Sequence, residues 1–230
     1  MPQKRTKFSI PKPISIRDRV YESIRSDVLS GRMISGERIV EARLAQEIRT
    51  SRTPVREALH MLEREGLLEA VPRVGYRVKK IDPDEMEELC EMRALNETLA
   101  AQWAIDRISP KDLEALEENL TKARAKARSG DPTTFVEYDA EFHEILARAS
   151  GRKRLFELCQ LLCRHMLRYR IESLHSEETA LRAIAGHREI LDCVKAKDKE
   201  GVASAIKKHL DWVKTEIKGK VFDSHGEKAS

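Results

Sequence analysis

The fold is decided by Ser51-Arg52-Thr53-Pro54-Val55-Arg56-Glu57-Ala58-Leu59-His60-Met61-Leu62-Glu63-Arg64-Glu65-Gly66 and the residues just after it. Val55, Ala58, Leu59 and Leu62 recur at helical spacing and predict one apolar face. Pro54 suits a first helical position and disfavours helix at the residue before it, so Thr53 is the expected N-cap. Gly66 closes the helix, and the period then switches to alternation. Residues 67–71 and 76–79 read as a two-stranded hairpin that turns at Pro72-Arg73-Val74-Gly75. Upstream, Ile16, Val20, Ile24 and Val28 predict a helix that ends at Gly31. Residues 33–37 read as a turn, and a second helix is expected near 41–49 with Leu44, Ala45 and Ile48 inward. Helix, helix, short turn, helix and hairpin is the order of a winged helix-turn-helix over residues 14–80, after a disordered basic tail at 1–13.

From Asp82-Pro83 onward the chain reads as helices only, with candidates at 83–107, 110–129, 132–150, 152–173, 176–197 and 198–218. Ser109-Pro110 and Asp131-Pro132 are cap-plus-proline starts, while Gly130 and Gly151 sit where helices should stop. Short connections favour an antiparallel bundle over 83–218, followed by a polar tail at 219–230. The expected fold class is therefore mainly α: an N-terminal winged helix-turn-helix plus a C-terminal all-α bundle.

Composition agrees with that division. Charged residues make up 36% of the 230 and aromatics only 5%, a balance that suits long helices with charged outer faces. Residues 1–80 carry 18 Lys and Arg against 10 Asp and Glu, whereas the remainder carries 25 against 29. A basic N-terminal part joined to a mildly acidic one suggests polyanion binding in the first and another task in the second. No apolar run approaches the ~20 residues of a membrane span, and no apolar stretch follows Lys4, Arg5 and Lys7 as a secretory signal requires. Cys90, Cys159, Cys163 and Cys193 lack CxxC spacing and read as core thiols of a reducing cytoplasm.

In a helix-turn-helix the third helix presents its N-terminal residues to base edges in the major groove, here Arg52, Thr53 and Arg56. Arginine is shaped for a bidentate contact to guanine. Arg73 and Arg77 lie on the hairpin, where a wing reaches phosphate or the minor groove. Each of these arginines alone is a common solvated charge; four of them at the contact surfaces of the motif favour DNA.

The acidic part holds residues foreign to a plain core. Asp139 and His143 lie four apart on the stripe of Phe135, Phe142 and Leu146; His187 shares a stripe with Ile184 and Leu191, and His209 with Ile206 and Val213. A single inward histidine is commonly a satisfied core residue, but a buried aspartate must be paired or bound to a metal. One Asp and three His fit one divalent ion per subunit, zinc foremost, with nickel or manganese as alternatives. His165, His175 and His225 show no such stripe. Arg93 shares a stripe with Met86, Cys90 and Glu97; it is either a simple partner of Glu97 or a clamp for an effector carboxylate.

The run Gly36-Glu37-Arg38-Ile39-Val40-Glu41, Leu44-Ala45, Ser51 to Leu59, Leu62-Glu63, Glu65-Gly66-Leu67 and Gly75 resembles the DNA-binding domain of GntR-family transcriptional regulators. The resemblance implies that Arg52 and Arg56 read operator bases, that Ser51 and Thr53 hold phosphates, and that the wing with Arg73 and Gly75 flanks the site. Two positions depart from the pattern. Arg49 stands where many relatives have Gly, which suggests a slightly different turn, and Ala42 replaces a contact arginine, with Arg43 next to it. Met92-Arg93-Ala94-Leu95-Asn96-Glu97 resembles the opening of the all-helical FCD domain of the FadR subfamily, and six helices place the chain nearer the shorter, VanR-like branch. There Asp139, His143, His187 and His209 match the metal pattern, and Arg93 is implied to clamp the effector. Arg152 replaces an asparagine common after the Ser150-Gly151 turn.

The leading reading is a transcriptional repressor that binds a palindromic operator in double-stranded DNA as a homodimer and answers to a small carboxylate effector, with no membrane partner. A metal-dependent hydrolase with a DNA-binding appendage is the alternative. It needs a general base that is not itself a ligand, and no HExxH or nucleophile elbow is present. A nucleoid or RNA-binding protein would need aromatic stacking platforms that the chain lacks.

Overall fold

A computed structural model describes residues 14–30, 32–128, 132–173 and 176–223. The tail at 1–13, the stop at Gly31, the Gly130-Asp131 junction, His175 and the stretch 224–230 lie outside the described residues. The chain divides into two compact units, Met1–Lys79 and Lys80–Ser230.

The first unit contains α1 (Ile16–Leu29), β1 (Arg38–Ile39), α2 (Glu41–Glu47), α3 (Arg52–Arg64), β2 (Leu68–Val71) and β3 (Gly75–Val78). Ser15 caps α1 by accepting from the Asp18 amide at 3.1 Å. Val20, Ile24 and Val28 of α1 meet Val55, Ala58, Leu59 and Leu62 of α3 in one core, closed by Leu67, Leu68, Tyr76 and Val78. Each apolar face thus covers another.

Three details differ from the sequence expectation. First, the hairpin is the larger part of a three-stranded sheet of order β1-β3-β2, in which Ile39 pairs with Tyr76 across β1 and β3. The two-residue β1 is too short to show a period of its own. Gly75 makes the pairing possible, because a Cβ there would stand 2.7 Å from the Ile39 carbonyl oxygen. Second, α3 begins at Arg52 with Ser51 as its N-cap, two residues before the expected start. Pro54 is accommodated because amides of the first turn have no intrahelical acceptor to lose. Third, Arg49 occupies the left-handed region at φ 52°, so the turn that glycine commonly makes is kept and an arginine fills it.

The second unit contains α4 (Pro83–Ile105), α5 (Pro110–Ala127), α6 (Pro132–Ala149), α7 (Lys153–Ser173), α8 (Glu177–Lys195) and α9 (Lys199–Ile217). Asp82, Ser109, Ser176 and Asp198 cap their helices through side-chain oxygens, and Ser109 forms a reciprocal capping box with Asp112. Gly151 takes φ 67° in the turn after α6, and beside it Arg152 lies over the Trp103 ring at 5.0 Å. α4 is the central helix, packed on α6, α7 and α9, while α8 joins α5 to α9. The polar tail expected from residue 219 instead continues α9 as a π-helical turn, Lys218–Asp223. Val221 draws it inward, buried beside Met166, Tyr169 and Ile217.

The left-handed Arg49 yields a prediction. Replacing it by Gly should raise the stability of the first unit by about 0.5 kcal/mol, the ~1 kcal/mol left-handed penalty less glycine's greater unfolded-state entropy. The urea midpoint of that unit in the full chain checks this. A lowered midpoint would mean that the Arg49 side chain contributes more than its backbone costs.

Candidate functional site

Three helices supply the ligand-type residues buried in the second unit. α6 supplies Asp139 and His143, α8 supplies His187, and α9 supplies His209; one ligand-type atom from each lies within 4.8 Å of every other, and all four residues are buried. His187 Nε2 is 3.1 Å from His143 Nε2 and 3.3 Å from Asp139 Oδ1. The structure therefore brings together, in one place, all four residues that the sequence placed on three separate inward stripes. His165 stands outside the group.

Local sequence explains how the imidazoles fit. Phe142 stacks on His187 with centroids 4.3 Å apart and planes 9° from parallel, which orients that ring. A Cβ at Gly186 would stand 2.6 Å from His209 Nδ1, so glycine in mid-helix opens the space that the His209 ring fills. Among the described residues neither ring nitrogen of His209 has a hydrogen-bond partner, although the ring is buried. An orphaned imidazole in a packed interior is costly unless something accepts its lone pair. The donor set, three borderline nitrogens and one hard oxygen, fits a divalent ion.

α4 adds a chain of ionic contacts. Arg93 Nε donates to Glu97 Oε1 at 2.7 Å, and Glu97 Oε2 lies 2.7 Å from His143 Nδ1. Arg93 and Glu97 are only 1% and 4% exposed, so the pair that the sequence spacing offered forms in the interior of the unit. Glu97 thus holds the far nitrogen of His143 and leaves Nε2 facing the other ligands, the usual outer support of a metal-binding histidine. Burial alone would raise the Glu97 pKa, but Arg93 and then His143 hold it far below the ordinary carboxylate range. Burial first, then the neighbouring histidines, keeps His187 well below its usual value; burial and His143 do the same for His209. Both rings are therefore neutral at pH 7.

Among the described residues the terminal nitrogens of Arg93 have no hydrogen-bond partner. From α7 the buried Arg170 contacts the Asp139 carboxylate. Sequence reading missed Arg170, which is hidden among Arg164 and Arg168 in a basic stretch, and it missed Gly186, whose signal was an unexplained glycine in a helix. Glu97 was noticed only as a partner for Arg93.

The exposed N-terminal end of α3 forms the second candidate site. Arg52 and Arg56 are 61% and 54% exposed, Thr53 is exposed, and Ser51 makes no capping bond with its hydroxyl. Arg43 pairs with Glu47 at 2.8 Å on the surface of α2. Arg73 lies in the β2–β3 turn at φ 64°, and Arg77 pairs with Glu69 across the strands at 2.5 Å.

A winged helix followed by a helical bundle with a buried ligand-type centre is the architecture of a bacterial transcriptional regulator. The comparisons agree: residues 16–78 match the model of bacterial regulatory proteins of the gntR family, and 88–211 match the FCD domain. The chain belongs to the GntR family of transcriptional regulators and carries an FCD domain. It is 30% identical over 211 residues to the uncharacterized HTH-type transcriptional regulator YdhC of Bacillus subtilis, covering 89% of this chain and 92% of that one. With the HTH-type transcriptional repressor RspR of Escherichia coli it shares 23% identity, over 88% of this chain and 89% of the other. The solved structure of McbR/YncC from E. coli superposes with a TM-score of 0.72 at 23% identity, covering 90% and 99% of the two chains. The protein is a regulator and not an enzyme. Among the described residues no helix is long and apolar enough to cross a membrane.

The depressed pKa values of His187 and His209 set a pH dependence. Unfolded histidine titrates near ~6.5, so below that value the unfolded chain binds more protons than the folded one, and stability must fall with pH. Unfolded glutamate titrates near ~4.3, so Glu97 stays charged in both states and contributes no slope above about pH 5.5. The urea midpoint of the helical unit should therefore decline from about pH 7.5 to about 5.5. A flat or rising midpoint would contradict the neutral assignment.

Proposed function

We propose that this regulator is a metabolite-responsive repressor of the FadR subfamily, in its shorter VanR-like branch, acting in the cytoplasm as a homodimer on a palindromic operator in double-stranded DNA. The observation that carries the sensing role is the buried chain Arg93–Glu97–His143, which joins an arginine with two unused terminal nitrogens to the four-residue ligand group. Asp139, His143, His187 and His209 would hold one divalent ion, zinc foremost and nickel or manganese as alternatives, which offers a positive centre to an effector oxygen. Arg93 binds the carboxylate of a small organic acid through Nη1 and Nη2, while Glu97 fixes both Arg93 and His143. For the effector to alter DNA affinity, it must bind the DNA-competent and DNA-released arrangements with different free energies.

In the first unit Arg52 and Arg56 read base edges from the major groove, Ser51 and Thr53 hold phosphates at the helix N-terminus, and Arg43, Arg73 and Gly75 lie along the DNA backbone. One recognition helix reads only a few base pairs, so useful specificity requires two half-sites and two subunits. The outer face of α4 supports a second copy as partner. Met92, Leu95 and Leu99 remain 37%, 75% and 38% exposed on a helix already packed on its other sides by α6, α7 and α9. Spaced at i, i+3 and i+7, the three side chains share one face, and a grouped exposed apolar patch marks an interaction surface.

Two sets of variants test the reading. Arg52→Ala should cost about 1–3 kcal/mol on the preferred duplex and relax discrimination at one base position. An equal loss on operator and random DNA would reduce Arg52 to a phosphate contact. In the second unit His187→Ala should lose the metal in native mass spectrometry, and Glu97→Gln should weaken metal binding roughly 10–100-fold. Arg93→Ala should keep the metal and lose the response of DNA binding to organic acids. A wild-type protein that retains none of zinc, nickel or manganese would leave the four residues a polar core network.

A further inference from the structure

Glu41, the first residue of α2, is mostly buried, with 13% of its side chain exposed, and receives both arginines of the α3 N-terminus. Arg56 engages it in a fork, Nε to Oε2 at 2.9 Å and Nη2 to Oε1 at 2.8 Å. Arg52 donates its Nε to Oε1 at 3.1 Å. One carboxylate therefore anchors two flexible, half-exposed side chains that project from successive turns of the same helix. Arg52 engages Glu41 through Nε alone, which leaves both of its terminal nitrogens for a base edge. The fork leaves Arg56 its Nη1 and the second hydrogen of Nη2.

A plainer role for Glu41 is an acidic residue in the first turn of α2, favourable to the helix dipole. That role needs only negative charge near the helix end and does not explain why two arginines converge on it. Ion pairs this exposed contribute little to stability. They do remove rotamer freedom from side chains that otherwise lose it on binding.

We infer that Glu41 is a specificity-determining positioning residue: its carboxylate holds Arg52 and Arg56 together in the rotamers that read two guanines of one half-site. The assignment rests on the DNA reading above. One helical turn separates the two arginines, an axial rise of about 6 Å, and bases along a strand are ~3.4 Å apart. The paired guanines thus fall within about two base pairs of each other.

Charge gives the inference its distinguishing signature. A carboxylate at a DNA-facing surface repels phosphate, so a residue kept there for positioning improves discrimination at the expense of general affinity. Gln at position 41 cannot replace it, because its amide nitrogen would face a guanidinium donor. Asp keeps the charge at the end of α2 but is one methylene too short to reach both arginines.

The test uses the full-length protein and a duplex that the wild type enriches from a random-sequence pool, with a scrambled duplex of equal length as control. Glu41→Gln and Glu41→Asp should each weaken binding to the enriched duplex about ten-fold or more, while binding to the scrambled duplex stays equal or tightens. Retained binding to the scrambled duplex also shows that the variants fold. In an Arg52→Ala, Arg56→Ala background, Glu41→Gln should cause no further loss of discrimination. Equal weakening on both duplexes, or full discrimination by Glu41→Asp, would overturn the assignment in favour of a helix-end charge. Enrichment by the wild type with variants indistinguishable from it overturns the assignment alone; a wild type that enriches no sequence overturns the DNA reading with it.

Discussion

The carboxylate of Glu97 has no water to turn to, and the geometry of the helical unit follows from that. An ionised group in a packed interior costs several kcal/mol unless matched by partners at short range. Here the partners are Arg93 on its own helix and His143 on α6, each at 2.7 Å. Satisfying both sets the phase of α4 against α6 to within a fraction of a turn. His187 and His209 impose the same demand on α8 and α9, and Gly186 lets those two helices approach closely enough to meet it. The caps at Asp82, Ser176 and Asp198 define where α4, α8 and α9 start, so their inward residues arrive at the required heights.

The DNA-reading unit works in the opposite electrostatic regime. Its arginines stand in water, where pairing with an acid adds little free energy. What the carboxylate of Glu41 supplies there is geometry: one acceptor on which Arg52 and Arg56 converge. The hydrophobic core beneath, from Val55 to Leu62, carries the stability that these surface contacts do not. One interior and one surface thus use the same pair of residue types, arginine and glutamate, for different ends.

The ionic chain also bears on how a signal could begin. Under the proposed sensing role, a carboxylate at Arg93 would meet terminal nitrogens that Glu97 leaves unused and so would extend the chain to His143 instead of breaking it. Any effect on distant contacts must then come from unequal binding to two arrangements of the protein, since occupancy alone shifts no equilibrium.

Much of this was legible before any coordinates. Periodicity marked the inward faces, so Asp139, His143, His187 and His209 stood out as polar residues on apolar stripes, and the order of helices and strands identified the winged helix-turn-helix. Caps and prolines located the helix ends to within a few residues. What periodicity cannot state is which inward faces share a point in space. Packing between distant segments decided that His143 takes Glu97 as its outer partner, that Arg170 reaches Asp139 from α7, and that Gly186 yields room to His209. It also decided that residues 38 and 39 are a strand, because a two-residue strand exists only through its neighbour's hydrogen bonds. Local sequence determines which way a side chain faces along its own element; only the meeting of elements determines what it faces.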